Sequence, residues 1–204
     1  GINHITKWLQ RNTTRSVVFI SSTSVYRQKN SEWVQEDIAD IPENITSKTL
    51  WEAEQKISTT EQAVTILRSS GIYGPGRSHL FRQFMNGNAT IEGDGERYLN
   101  MVHRDDLAEA ITHSLTNKDK ICGTFNITDD EPVKQLGFFE WLSEITNRPM
   151  PLFGPEPDPT NRKRGITNKR VSNKLFKETF GFQYNYPTFR EGLTKELENW
   201  KAMP

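Results

Sequence analysis

A chain of 204 residues is long enough for one large domain or for one domain plus a lobe. Lys plus Arg and Asp plus Glu both total 26, which argues against a dedicated nucleic-acid or anionic-membrane binder, and no apolar run reaches the ~18 residues of a membrane span. Hydrophobic residues make up 34% and the mean hydropathy is −0.72, which fits either a large exposed surface or a core lacking its most buried strands. The start, Gly1-Ile2-Asn3-His4, carries no secretory signal, and the single Cys122 excludes an intrachain disulfide, as in a reducing compartment. Four Asn-x-Ser/Thr triplets, at Asn12, Asn44, Asn88 and Asn126, read as chance in an Asn- and Thr-rich chain. His4, His79, His103 and His113 have no metal-ligand spacing, so no metal is expected.

Ile2 to Gln10 reads as a short amphipathic helix with Ile5, Trp8 and Leu9 on one face. Val17 to Ser22 reads as a strand buried on both faces, as in a parallel sheet. A polar loop with Trp33, Glu36 and Pro42 follows. Thr46 to Thr60 is predicted helical, with Leu50, Trp51, Glu54 and Ile57 at helical spacing and Thr46 or Ser47 as its cap. Ala63 to Arg68 is a second buried strand, stopped by the turn Tyr73-Gly74-Pro75-Gly76. A short helix with Leu80, Phe81, Phe84 and Met85 comes next, then Gly-rich turns, a helix from Asp105 to Leu115 and a third strand from Gly123 to Ile127. Phe138 to Ile145 is helical, and Pro149 to Pro159, with five prolines in eleven residues, is an extended connector. Ser172 to Thr179 and Phe189 to Trp200 are predicted as closing helices. The strand–helix–strand alternation of the first part argues for right-handed βαβ units and a parallel sheet.

Three segments stand out as motifs. The first, VVFISSTSVY from Val17 to Tyr26, runs a strand into a hydroxyl-rich turn. Such a turn either places a hydroxyl at the C-terminal edge of the sheet, where ligands bind, or is an ordinary polar turn. The second, ILRSSGIYGPGR from Ile66 to Arg77, runs a strand into a turn whose Pro and Gly let the chain fold tightly. The third is NMVHRDDLAEAI, Asn100 to Ile111, in which Asp105 or Asp106 is a candidate cap and His103 reads as a satisfied buried histidine. With TFNITDDEPV and KRVSNKLFKETFGFQYNYPTFREGL further on, these segments resemble, in order and separation, the extended short-chain dehydrogenases/reductases. The resemblance is to their atypical NAD-dependent epimerase/dehydratase subgroup and covers Gly1 to Leu193.

The resemblance implies an α/β fold: a partial Rossmann-like, doubly wound parallel sheet with a smaller C-terminal α/β substrate lobe. Residues 1–77, with 101–128 returning, would form the cofactor half, and 78–100 with 129–204 the lobe. By register against Val25-Tyr26, Ser22 falls on the family's catalytic hydroxyl, and Lys48 on its lysine, which lowers a tyrosine pKa and holds the nicotinamide ribose. NAD or NADP would be held by Ser21, Lys48, Ser70, Gly71, Ile72 and Tyr73. The partners implied are a small-molecule substrate such as a nucleotide sugar and a second copy of the chain, with no nucleic acid and no membrane; the location implied is the cytoplasm or the plastid stroma. A homodimer would use the helices at Ile2–Gln10 and Thr46–Thr60, with Trp8 and Trp51 at the interface or in the core.

The chain departs from the family at two places. The tyrosine four residues before Lys48 is Asn44, which supplies no titratable proton, so a displaced acid such as Tyr26 would have to replace it. The Gly-x-Gly-x-x-Gly turn is absent, and the first strand resembles the fifth of the family sheet. A fragment with an exposed strand is therefore expected. Arg162-Lys163-Arg164 with Lys169-Arg170 is either a site for a phosphorylated substrate or a solvated basic loop. Two functions remain open: an NAD(P)-dependent oxidoreductase, epimerase or dehydratase, and a non-catalytic dinucleotide-sensing or partner-binding protein on the same fold.

Overall fold

The computed structural model describes residues 1–38, 40–116, 121–158 and 165–201. Three parallel strands carry the architecture: β1 (Val17–Ser22), β3 (Val64–Ser69) and β8 (Gly123–Ile127), in the order β1-β3-β8. Alternate residues of a strand face opposite sides, and the sheet is covered accordingly. Val17 and Phe19 of β1 and Val64 and Ile66 of β3 pack with Leu9 of α1 (Ile2–Leu9) and Ile57 of α2 (Ile45–Ser58). On the other face Leu67, Phe125 and Ile127 pack with Leu107 and Ala110 of α4 (Arg104–Thr116) and with Phe176 of α6 (Lys174–Phe180). The result is the doubly wound α/β layering expected from the sequence.

β3 is buried at every residue, but β1 is not. Ile20 of β1 is 40% exposed. Among the described residues β1 pairs only with β3, so it is the exposed strand expected in the absence of the glycine-rich part, and not the strand buried on both faces that its apolar run alone suggests. An edge position leaves the backbone groups of its free side unpaired by a strand, and the exposure of Ile20 shows that one of its faces is also incompletely covered.

Short strands tie the remainder to this sheet. β4 (Gly71–Tyr73) pairs in parallel with β7 (Met101–His103), and β2 (Glu32–Val34), inside the segment read as a polar loop, pairs with β11 (Lys169–Val171). β5 (Thr90–Glu92) pairs with β10 (Leu152–Gly154), so the proline-rich connector contains a strand, and β6 (Tyr98–Leu99) pairs with β9 (Val133–Lys134). A second core joins α3 (His79–Met85), α5 (Gln135–Thr146) and α7 (Phe189–Lys201) through Phe81, Phe84, Phe138, Phe139, Phe189 and Leu193. Among the described residues no helix is long and apolar enough to cross a membrane.

Trp8 and Trp51 separate. Trp8 is 54% exposed on α1, whereas Trp51 packs against the cluster of Val25, Tyr26, Val34 and Val171.

Candidate functional site

The parallel register aligns Ser22 with Ser69, and Ser69 with Ile127, so three strands end together. Beyond that edge the chain turns: the Ser70 N–H donates to Ile127 O (3.0 Å) and the Gly71 N–H to Asn100 O (2.9 Å). A cleft of about 290 Å³ opens there, walled by Ser22, Ser70, Gly71, Arg97, Asn100 and Lys169. A larger one of about 520 Å³ runs from Tyr26 and Asn44 to Gly165–Asn168; Ser24 and Thr167 wall both. The carboxyl edge of a parallel sheet is where open α/β folds bind ligands.

Of the residues named from the sequence, Ser22, Ser70 and Gly71 meet in the smaller cleft. The Ser22 Oγ accepts from the Ser24 N–H (3.2 Å) and so caps a single helical turn, Thr23–Val25. Ser21 faces away: it is buried and its hydroxyl donates to Glu54. Ile72 is half-buried against the sheet core. Tyr73 is buried, its hydroxyl donating to Thr188 O (3.2 Å) and its ring edge-on to His103 (5.2 Å). Lys48 is exposed on the first turn of α2 and lines neither cleft.

Asn44 has a structural role. It is the N-cap of α2, its Oδ1 accepting from the N–H groups of Thr46 (2.9 Å) and Ser47 (3.4 Å). The cap is therefore Asn44 and not Thr46 or Ser47, because a cap must stand outside the first helical turn with extended backbone. Tyr26 does not serve as a displaced acid either. Its hydroxyl donates to Asn126 Oδ1 (2.8 Å) and accepts from Arg68 (2.9 Å), and burial raises its pKa.

The Gly74–Gly76 turn fits its neighbours closely. Gly74 has φ +117°, and a Cβ there would lie 2.9 Å from His103 Nε2; Arg104 donates to Pro75 O (2.8 Å). The second and third motifs thus pack on one another. His103 is buried, its Nδ1 accepting from the Asp105 N–H (3.2 Å), and burial lowers its pKa. Neither aspartate caps α4 as expected. Asp106 is buried and accepts from the backbone N–H groups of Asn185 (2.8 Å) and Tyr186 (3.0 Å), which draws the segment before α7 onto the sheet.

Two arrangements went unread in the sequence. The first is a buried network: Arg68 donates to both oxygens of Glu54 (2.8–3.2 Å) and to Tyr26, which passes to Asn126 and thence to Ser172 O (3.1 Å). Its signal was present, since Glu54 shares the inward spacing of Ile57 and Arg68 shares the face of Val64 and Ile66. The second is Lys169. Grouped with the basic run it read as part of either a phosphorylated-substrate site or a solvated loop; it opens β11, is 5% exposed and lines the smaller cleft, so the solvated-loop reading fails at this residue. Its Nζ donates to Thr167 Oγ1 (2.7 Å) and Tyr26 O (3.3 Å). Burial, reinforced by the like charge of Arg97, pushes its pKa down to about 8. Arg170 lies across the rings of Trp33 (5.1 Å) and Tyr98 (5.4 Å). Arg162, Lys163 and Arg164 lie outside the described residues.

A family model described as the RmlD substrate binding domain matches residues 2–201. Protein YeeZ of Escherichia coli K12 is 31% identical over 172 residues, 84% of this chain and 58% of YeeZ, so the chain spans little more than half of that relative. A solved putative NAD-dependent epimerase/dehydratase of Methylobacillus flagellatus is 29% identical, with a TM-score of 0.75 over 92% of this chain and 65% of the other. The UDP-glucuronic acid 4-epimerase of Bacillus cereus, solved with UDP-glucuronic acid and NAD, superposes with a TM-score of 0.82 at 20% identity, over 98% of this chain and 66% of the other, a likeness of fold alone.

Proposed function

The chain belongs to the RmlD substrate-binding-domain family, and on that premise we propose that it serves an NAD(P)-dependent epimerase, dehydratase or reductase acting on a nucleotide sugar or similar small molecule. The observation that carries the reading is the convergence of Ser22, Ser70 and Gly71 on one cleft at the carboxyl edge of the parallel sheet. NAD or NADP supplies hydride exchange when bound. The residues present fit its nicotinamide end: among the described residues the buried Ser70 Oγ has no partner, and Gly71 brings backbone to the wall of the cleft. The sequence holds no glycine-rich turn for the pyrophosphate.

In this reading Ser22 orients the reacting substrate oxygen and Ser70 and Gly71 flank the nicotinamide. Ser21, Ile72 and Tyr73 fix the position of that wall by packing from behind. Lys48 is the proposed ribose contact. Residues 1–77 with 101–128 form the cofactor side of the cleft, and 78–100 with 129–204 the substrate side, which supplies Arg97 and Lys169. A homodimer through α1 and α2, with Trp8 at the contact, belongs to the same proposal.

Asn44 favours a second reading, a protein that binds the dinucleotide without turning over substrate. The family's proton-transferring tyrosine is replaced here by a side chain engaged in capping. Fluorescence titration with NADH and NADPH, followed by a panel of nucleotide sugars, separates the readings. Saturable dinucleotide binding and turnover that Ser22→Ala lowers at least tenfold are expected; absence of binding by either dinucleotide overturns the enzyme reading. Binding without turnover, unaffected by Ser22→Ala, establishes the second.

A further inference from the structure

α4 begins at Arg104, which puts His103, the last residue of β7, in the position of its N-cap. The cap is made by the ring: His103 Nδ1 accepts from the Asp105 N–H (3.2 Å), the second amide of the helix. A nitrogen that accepts carries no proton, so this cap exists only while the imidazole is neutral, with its proton on Nε2. An asparagine or serine in the same place would keep its acceptor at any pH; a histidine does not. The ring is 2% exposed and closely held. It lies over Tyr186 (3.8 Å between centroids) and edge-on to Tyr73 (5.2 Å), and a Cβ on Gly74 would meet Nε2 at 2.9 Å. One side chain thus joins the start of α4 to the Gly74–Gly76 turn and to the segment before α7.

The charged ring has a different partner in the same joint. The Asp105 carboxylate lies 3.7 Å from Nδ1 and pairs with Arg104 Nε (3.1 Å). Arg104 in turn donates to Pro75 O (2.8 Å), which holds the turn. Protonating Nδ1 sets two donors against each other, the ring N–H and the Asp105 N–H, and adds positive charge at a helix N-terminus, where it is unfavourable. The carboxylate answers by leaving Arg104 for the ring. The groups that face His103 are Tyr73 of β4, Arg104, Asp105 and Asp106 of α4, Tyr186, and Lys195 of α7. Burial outweighs the two aspartates and holds the pKa of His103 below its ordinary value, so the capped form is the native one near neutrality. We propose that His103 is an acid-sensitive cap: its protonation uncaps α4, draws Asp105 from Arg104 and so releases the Gly74–Gly76 turn and the ring of Tyr186, while the β1-β3-β8 sheet stays closed.

The folded ring binds its proton less readily than the unfolded chain. The cap's contribution is therefore full above the ordinary histidine pKa of 6.5 and declines as pH falls below it. Hydrogen exchange of the whole chain, read by mass spectrometry and corrected for intrinsic rates, tests this across a series from about pH 7.5 to about pH 5. Protection of peptides spanning 71–78, 100–107 and 182–188 is expected to fall roughly tenfold or more over the series, with the three sheet strands unchanged. His103→Asn keeps a capping acceptor and has no ring to titrate, and its three segments are expected to hold the same protection throughout. Asp105→Asn leaves His103 in place and removes the acceptor of the charged form, so the midpoint of the loss is expected to move to lower pH. A histidine that only fills space would leave wild type and His103→Asn with the same pH response, and that result overturns the switch. Full protection of the segments in wild type at about pH 5, or an unmoved midpoint in Asp105→Asn, overturns it equally. Should His103→Asn fail to fold, the Asp105→Asn midpoint decides alone. Dinucleotide binding has no bearing on any of these outcomes, so the switch and the proposed function stand or fall separately.

Discussion

Tyr26 lies between two buried cations that the protein treats in opposite ways. Its hydroxyl meets Arg68 and its carbonyl meets Lys169. Arg68 sits against both oxygens of Glu54, and the chain of bonds continues through Tyr26 and Asn126 to the backbone at Ser172, so its charge is met inside the protein. Among the described residues Lys169 has only neutral acceptors, with a second cation nearby. The first arrangement locks α2, β1, β3 and β8 together; the second stores electrostatic cost at the wall of a cleft. A charge satisfied within the fold adds to its stability only on balance, and a buried charge without a counter-charge is a cost the rest of the fold carries.

The largest effect should come from breaking the satisfied side. Glu54→Ala leaves the Arg68 guanidinium buried and uncompensated, and should cost about 3–5 kcal/mol in urea unfolding. Adding Arg68→Met to Glu54→Leu should recover most of that loss, since a well-packed apolar pair carries no desolvation cost. The unpaired side should respond with the opposite sign. The folded-state pKa of Lys169, about 8, lies below the ordinary 10.5, so between those values the unfolded chain holds more protons than the folded one. Stability from this group therefore rises with pH across that window, and its cost, ~3 kcal/mol, is fully present below about pH 8. Lys169→Met should be the more stable protein at pH 7, with the difference from wild type shrinking towards pH 10. The groups that face Lys169 are Arg97, the Tyr26 carbonyl and the Thr167 hydroxyl, and comparison with the variant at each pH cancels titrations elsewhere. The smallest effect is expected at Asn44, on the wall of the larger cleft. Asn44→Ala should cost ~1 kcal/mol in urea unfolding through loss of the α2 cap.

Much of the fold was legible because the apolar runs at 17–20 and 63–67 and the helical spacings of α2, α4 and α7 are strong local signals. The apolar run of β1 reports what a strand could bury, and its exposure follows instead the expectation of an uncovered strand in the absence of the glycine-rich part. β2 and β11 were missed because three-residue strands have too little pattern, and each is held by a partner more than a hundred residues away. In the site, the Ser22 turn was visible as a hydroxyl cluster after a strand. Lys169 was not, since a lysine beside an arginine in a basic stretch looks like surface until β2 covers it.

The sequence by itself determined the strand–helix alternation and the hydroxyl-rich turn at the end of β1, because each depends on neighbours within a few residues. Only the tertiary structure decided that Asn44 is a cap, that Arg68 is paired and that Lys169 is not. Those outcomes depend on which distant segments share a surface, and a charge is costly or satisfied only by virtue of what the fold puts beside it.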